Sequence, residues 1–171
     1  HAAAVDCISL CTKGRIDHAT WEILFATEDI PGWSGFPLVG RLREAFGLPV
    51  FALNDVMALA LGEAYHGSMC GGRRFLCVNY GSGINGVCVA GGQPVLFAPE
   101  RMPEMGHILL HPDGRRCACG RQGCYEAYAS VHALTRLAAS KLRRRMITGR
   151  ELFALLDQGD PVALSCLESW V

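Results

Sequence analysis

A mixed α/β fold is predicted for this chain from three features of its sequence. Short runs of β-branched and aromatic residues alternate with runs of helical spacing. A short apolar strand at residues 49–53 leads directly into Asn54-Asp55 and an Ala- and Leu-rich helix. Open α/β sheets bring side chains to the carboxyl ends of their strands in this way. Two further strand-like runs flank Gly81-Ser82-Gly83, a turn signal.

The chain has 171 residues, enough for one domain or for one and a half lobes of a larger fold. Half of the residues are hydrophobic and 19 % are charged, so a real core is expected. The formal net charge is zero, which argues against nucleic-acid binding by this segment through a basic face. The one basic run, Lys141-Leu-Arg-Arg-Arg145, reads as the end of a helix, where cations complement the dipole. Nine cysteines would suit a disulfide scaffold, but the segment is too long and too apolar to need staples. Cys7, Cys11, Cys77, Cys88 and Cys166 sit in apolar runs and read as small buried hydrophobes. Reduced thiols fit the cytoplasm, and no signal peptide or membrane-spanning run is visible. His1-Ala-Ala-Ala begins almost inside a strand, and Cys166-Leu-Glu-Ser-Trp-Val171 stops within a helical pattern. A parent chain longer at both ends is therefore expected.

In chain order, residues 5–11 read as a strand, 13–17 as a turn and 21–25 as a second strand. The breaker-rich loop 31–37 precedes a helix over 38–46 that Gly47 ends. The helix after Asn54-Asp55 is apolar nearly all round over its first two turns and should be buried. Asn54 or Asp55 can cap it. Asp55 also lies where such folds place ligands, and an ionised carboxylate there can accept a proton from a substrate hydroxyl. Residues 74–80 read as a strand. Gly81-Ser-Gly-Ile-Asn-Gly86 spells a dinucleotide motif but does not open a helix, so it is read as the link of a hairpin. That turn can hold a phosphate through backbone N–H groups and Ser82, or it is a plain β-turn. Residues 93–97 read as a returning strand and 99–103 as a loop. Helices are expected over 125–128, 130–142 and 151–156, the last behind a Thr148/Glu151 capping box. Gly159-Asp160-Pro161 opens a final helix that the chain does not finish.

The densest chemistry lies between Glu104 and Glu126. Glu104-Met-Gly-His107 is followed by Cys117-Ala-Cys119-Gly-Arg-Gln-Gly-Cys124-Tyr-Glu126. One histidine and three cysteines with interspersed glycines suit a closed, tetrahedral structural zinc site. The charged pair Arg115-Arg116 argues that this loop lies at the surface. His111 is the rival nitrogen ligand, and spacing alone does not choose between it and His107. Glu104 and Glu126 flank the knot, and rigid carboxylates suit a polyhydroxylated ligand. The plain alternative is a turn-capping Glu104 and an ordinary helical Glu126.

Together these residues resemble the ROK family of repressors and sugar kinases. The resemblance rests on Asn54-Asp55 before the Ala-rich helix, the Gly-Ser-Gly hairpin, Glu104-x-x-Gly-His107 and the Cys-x-Cys-Gly-x-x-Gly-Cys-x-Glu run. It extends from about residue 5 to residue 165. It implies a partial actin-like ATPase (RNase H-like) α/β fold with a zinc-knot loop. Residues 1–53 would end the N-terminal lobe and 54–171 begin the C-terminal lobe.

The resemblance further implies that His107, Cys117, Cys119 and Cys124 bind zinc. Asn54, Asp55, Glu104, His107 and Glu126 would bind sugar, with Asp55 as general base. Gly81, Ser82 and Gly83 would match the second phosphate loop. The family's Asp-x-Gly-x-Thr motif and its adenosine-cradling Gly-Gly stretch are missing, so this segment alone is not expected to hold ATP. Glu28 or Asp29 stands where the family places a sugar-binding Asn, and Asn85 stands where it has a Gly. Two functions follow as expectations. One is an ATP- and Mg-dependent hexose-type kinase. The other is the sugar-sensing domain of a transcriptional repressor whose winged helix-turn-helix lies upstream. Either way the protein is expected to be cytoplasmic, to bind a small sugar and to form a homodimer or higher homo-oligomer.

Overall fold

The computed structural model describes residues 5–17, 19–27, 30–97 and 102–170. The chain divides into two compact units. The first comprises His1–Cys77 and Gly86–Pro103, and the second Val78–Asn85 and Glu104–Val171.

In the first unit, strand β1 (Ile8–Thr12) pairs in parallel with β4 (Val50–Asn54), in register from Ile8↔Val50 to Thr12↔Asn54. Between them come a small antiparallel pair, β2 (Arg15–Ile16) with β3 (Ile23–Phe25), and helix α1 (Leu38–Phe46), with Gly47 as its C-cap. Ile16, Val39, Val50 and Ala52 form the core here, with Leu10, Trp21 and Leu42 packed against it. Helix α2 (Asp55–Tyr65) follows β4 without a linker and buries Val56, Met57 and Ala60. Its expected all-round burial holds only in part, because Leu59 is exposed. A second sheet, whose turn end Val78–Asn85 is counted with the second unit, has the order β5 (Arg74–Tyr80), β6 (Ile84–Ala90), β7 (Gln93–Pro94). Val87 and Val89 of β6 pack with Ala60 of α2 and with Phe75 and Cys77.

In the second unit a single 3-10 turn (Met105–His107) leads into a loop, followed by α3 (Glu126–Ala129), α4 (Val131–Lys141), α5 (Gly149–Asp157) and α6 (Pro161–Glu168). Ser130 caps α4, and Thr148 and Glu151 form the expected capping box on α5. Asp160 caps α6, with Pro161 in its first turn. The helices close around Leu134, Ala138, Ala139, Ile147, Leu152, Ala163 and Cys166.

The structure corrects several expectations. The 13–17 turn contains the short strand β2. The hairpin link is tighter than 81–86, because Ile84 and Asn85 already belong to β6. The returning strand ends at Pro94, with one further cross-strand bond from the Val95 N–H to the Cys88 carbonyl at 2.8 Å. Helix α6 ends at Glu168, where Ser169 caps it. Cys7 and Cys11 are exposed, Cys77 and Cys88 half-buried, and of that set only Cys166 is buried. Strand residues alternate between faces, so an apolar neighbourhood in sequence did not ensure burial.

Candidate functional site

The loop of the second unit is built around a small antiparallel turn. Arg116 bridges Gln122 and Leu109 bridges Cys124. The Cys117 N–H donates to the Arg121 carbonyl at 2.9 Å, and the Gly123 N–H to the Arg115 carbonyl at 2.8 Å. Gly123 is required: a Cβ there would lie 1.6 Å from the His111 carbonyl oxygen. This fold-back carries Cys117, Cys119 and Cys124 to one side, where the 3-10 turn presents His107.

The four candidate ligand atoms lie within 4.8 Å of one another. Cys117 Sγ is 3.6 Å from His107 Nδ1, and Cys119 Sγ is 3.7 Å from Cys124 Sγ. Two sulfurs bound tetrahedrally at 2.3 Å stand about 3.8 Å apart, so the donor set fits one ion. His111 is not in the group. Its ring packs edge-on to Tyr128 at 5.1 Å.

The thiols are not equivalent. Burial pushes Cys117 up to about 12, only partly offset by the Cys119 backbone N–H. Burial also raises Cys124. Burial acts upward on Cys119 as well, but Arg121, through backbone and guanidinium, together with the two neighbouring thiols takes it below its ordinary value. A bound cation supplies the charge that lets such thiols act together as thiolates. Arg121 Nη2 donates to the His107 carbonyl at 3.1 Å and so ties the two ends of the loop.

The carboxylates are placed differently from one another. Glu104 is exposed at the start of the 3-10 turn and makes no capping bond with its side chain. Glu126 is half-buried at the start of α3. Its Oε2 accepts the Ile84 N–H at 2.7 Å, just after the Gly81-Ser82-Gly83 turn. Within that turn the Gly81 N–H donates to the Gly83 carbonyl at 2.9 Å, and Ser82 is exposed.

In the first unit, Asn54 is buried at the end of β4 and caps α2. Its Oδ1 accepts from the Val56 and Met57 N–H groups, and its Nδ2 donates to the Gly14 carbonyl at 3.0 Å. Asp55, the next residue, is exposed at the carboxyl end of the parallel pair, with Oδ1 accepting the Val56 N–H at 2.9 Å. The capping task thus falls mainly to Asn54 and leaves Asp55 open to solvent. Glu28 and Asp29 lie outside the described residues, as does part of the 99–103 loop.

Sequence reasoning missed Arg121, Tyr80, Tyr125 and Tyr128. Arg121 had a signal, a cation set between two metal-ligand candidates. The tyrosines had none, because their partners are remote in sequence.

The model of the ROK family matches residues 1–171. The chain belongs to the ROK family. A glucokinase of Halalkalibacterium halodurans is 32 % identical over 94 % of this ROK chain and 52 % of its own length. The structure of a ROK family glucokinase from Streptomyces griseus in complex with glucose and AMPPNP is 30 % identical, with a TM-score of 0.85. It covers 99 % of this chain, which covers 59 % of it. A xylose repressor of Bacillus spizizenii is 26 % identical over 95 % of this chain and 41 % of its own length. This ROK chain thus spans about half the length of the curated glucokinase it matches. The fold is the actin-like α/β fold of the ROK sugar kinases, in part. Among the described residues no helix is long and apolar enough to cross a membrane.

Proposed function

We propose that this chain is the sugar- and phosphate-handling part of an ATP-dependent hexose-type kinase. The observation that carries the reading is Asp55, solvent-open at the carboxyl end of β4 while Asn54 caps the helix beside it. The likeness to glucokinases at 30–32 % identity, one of them holding glucose and AMPPNP, supports it.

In this reading Asp55 accepts the proton of the sugar hydroxyl that attacks the γ-phosphate. Asn54, Glu104, His107 and Glu126 accept from or donate to other sugar hydroxyls. Asn54 has an amide hydrogen beyond the one given to Gly14 for this. Gly81, Ser82 and Gly83 contact phosphate through backbone N–H groups and a hydroxyl. ATP and Mg would be held by the full-length parent, where Mg neutralises charge on the transferred phosphate. His107, Cys117, Cys119 and Cys124 would hold zinc, which supplies a fixed tetrahedral node and no chemistry of its own. The lobe division at residues 53/54, a cytoplasmic location and a homodimer or higher homo-oligomer belong to the same proposal.

The likeness to a xylose repressor favours one second reading, a sugar-sensing effector domain. One variant of the full-length parent separates the two. Asp55→Asn is expected to lower ATP-dependent phosphorylation of glucose or another hexose by about 10²- to 10⁴-fold, the usual worth of a general base. Sugar binding by calorimetry should be retained. A parent that binds sugar, never phosphorylates it, and carries a DNA-binding domain upstream would establish the repressor reading instead.

A further inference from the structure

We propose that the metal loop sets the shape of the glycine hairpin, acting through Tyr125, Glu126 and Val131 as positioning residues. The inference rests on reading residues 81–83 as a phosphate-binding turn, with the phosphate chain of a nucleotide as its ligand.

Three ties join the hairpin to the segment that starts directly after Cys124. The Tyr125 hydroxyl is hydrogen-bonded to that of Tyr80, with the rings edge-on at 6.3 Å. The Glu126 carboxylate accepts the Ile84 N–H at 2.7 Å. The Val131 N–H donates to the Gly81 carbonyl at 3.0 Å. The turn is therefore gripped before its first glycine, at that glycine and after its last. Each tie lies on backbone or on an aromatic ring, so the grip acts on the course of the chain.

Two glycines make the approach possible. A Cβ on Gly83 would meet the Glu126 carboxylate at 2.6 Å, and one on Gly106 would meet the Ile84 carbonyl at 2.1 Å. Gly106 is the residue before His107. Both arms of the metal loop thus abut the same backbone, one through Glu126 and one through Gly106. Holding His107 and Cys124 together fixes both arms, and with them the Ile84 N–H and the curvature of the turn. Releasing them slackens the turn, and the loss falls on phosphate affinity as well as on sugar affinity.

The test is hydrogen exchange on the metal-loaded protein, read at the Ile84 amide and at the Leu152 amide of α5. Glu126→Ala is expected to speed exchange at Ile84 by roughly ten- to hundred-fold, the effect of losing a hydrogen bond to a charged group. Leu152 should not change. Glu126→Gln keeps an acceptor oxygen and should lose less. Chelating the metal from the unaltered protein should reproduce the change at Ile84, and should add little in Glu126→Ala. An Ile84 amide indifferent to chelation overturns the proposal, whatever Glu126→Ala does to it. So does a rise at Ile84 and Leu152 together, which would make the metal a general support of the unit. Titration of the full-length parent with inorganic tripolyphosphate separates this inference from the functional reading. If Ile84 responds to the metal but tripolyphosphate binds in neither metal state, the grip stands and the phosphate role of the hairpin falls.

Discussion

Two parts of the second unit are held by opposite means. Helices α4, α5 and α6 close around seven buried side chains, Leu134, Leu152 and Ile147 the largest among them. The loop at residues 104–124 buries Gly106, Gly123 and Cys124, and turns Ile108, Leu109 and Leu110 outward at 54, 54 and 47 % exposure. Ordering a loop costs about 1–2 kcal/mol per residue in backbone entropy, and this one has almost no apolar burial to offset it. The helical part can stand on packing, whereas the loop has in its place four donors that could hold a cation.

The largest expected effect comes from removing that cation. Structural zinc is worth about 10–16 kcal/mol in small zinc peptides. Purified protein should contain about one zinc per chain. Chelation or Cys124→Ser should then release the amides of residues 107–110 and 117–124 into fast exchange, with the helical cluster still protected. Simultaneous loss of the helices would erase the contrast. Next in size is Leu152→Ala, which should cost about 2–5 kcal/mol by cavity formation and leave the zinc content unchanged. A chemical denaturation curve and metal analysis of the same sample check both halves.

The smallest effect is at the N-terminus of α5. Thr148→Ala should cost about 1 kcal/mol, the usual worth of a cap. The Thr148 backbone N–H and hydroxyl hold the Glu151 carboxyl below its ordinary 4.5. Because the folded value is the lower one, this contribution is present above about pH 4.5 and is lost as pH falls through the folded value. Melting temperatures across the acid range should therefore fall less steeply in Thr148→Ala than in the unaltered chain.

Much of this was legible because its causes are local. Helix α1 and strand β5 run as expected, since Gly47 and the alternation of residues 74–80 need no distant partner. The Thr148/Glu151 box and the Asp160-Pro161 start were readable for the same reason. The ligand cluster was legible as a group; spacing left its nitrogen open, and the family resemblance named His107, which the structure brings to the three sulfurs. The reason that spacing could not give is the ring of Tyr128, which packs against His111 and lies seventeen positions further along the chain. What sequence could not show depends on long-range contacts. The Asn54 amide reaches a carbonyl 40 residues away and Glu126 an amide 42 residues away. The first relieves Asp55 of capping, and the second turns an ordinary helical glutamate into part of the hairpin.

Tyr128 does more than claim a histidine. Its ring has the Arg115 guanidinium over it at 4.7 Å and His111 at its edge, and its hydroxyl accepts the Arg115 N–H at 2.8 Å. None of these residues belongs to the four-membered donor group of His107, Cys117, Cys119 and Cys124. The far bend of the loop is therefore threaded onto α3 by a fastening separate from the ion. A chain stripped of its ion keeps its two donor-bearing ends on short leashes, and shorter leashes mean a smaller volume to search. Loading of an ion would then be a local snap within an already folded protein, with no need to refold around it.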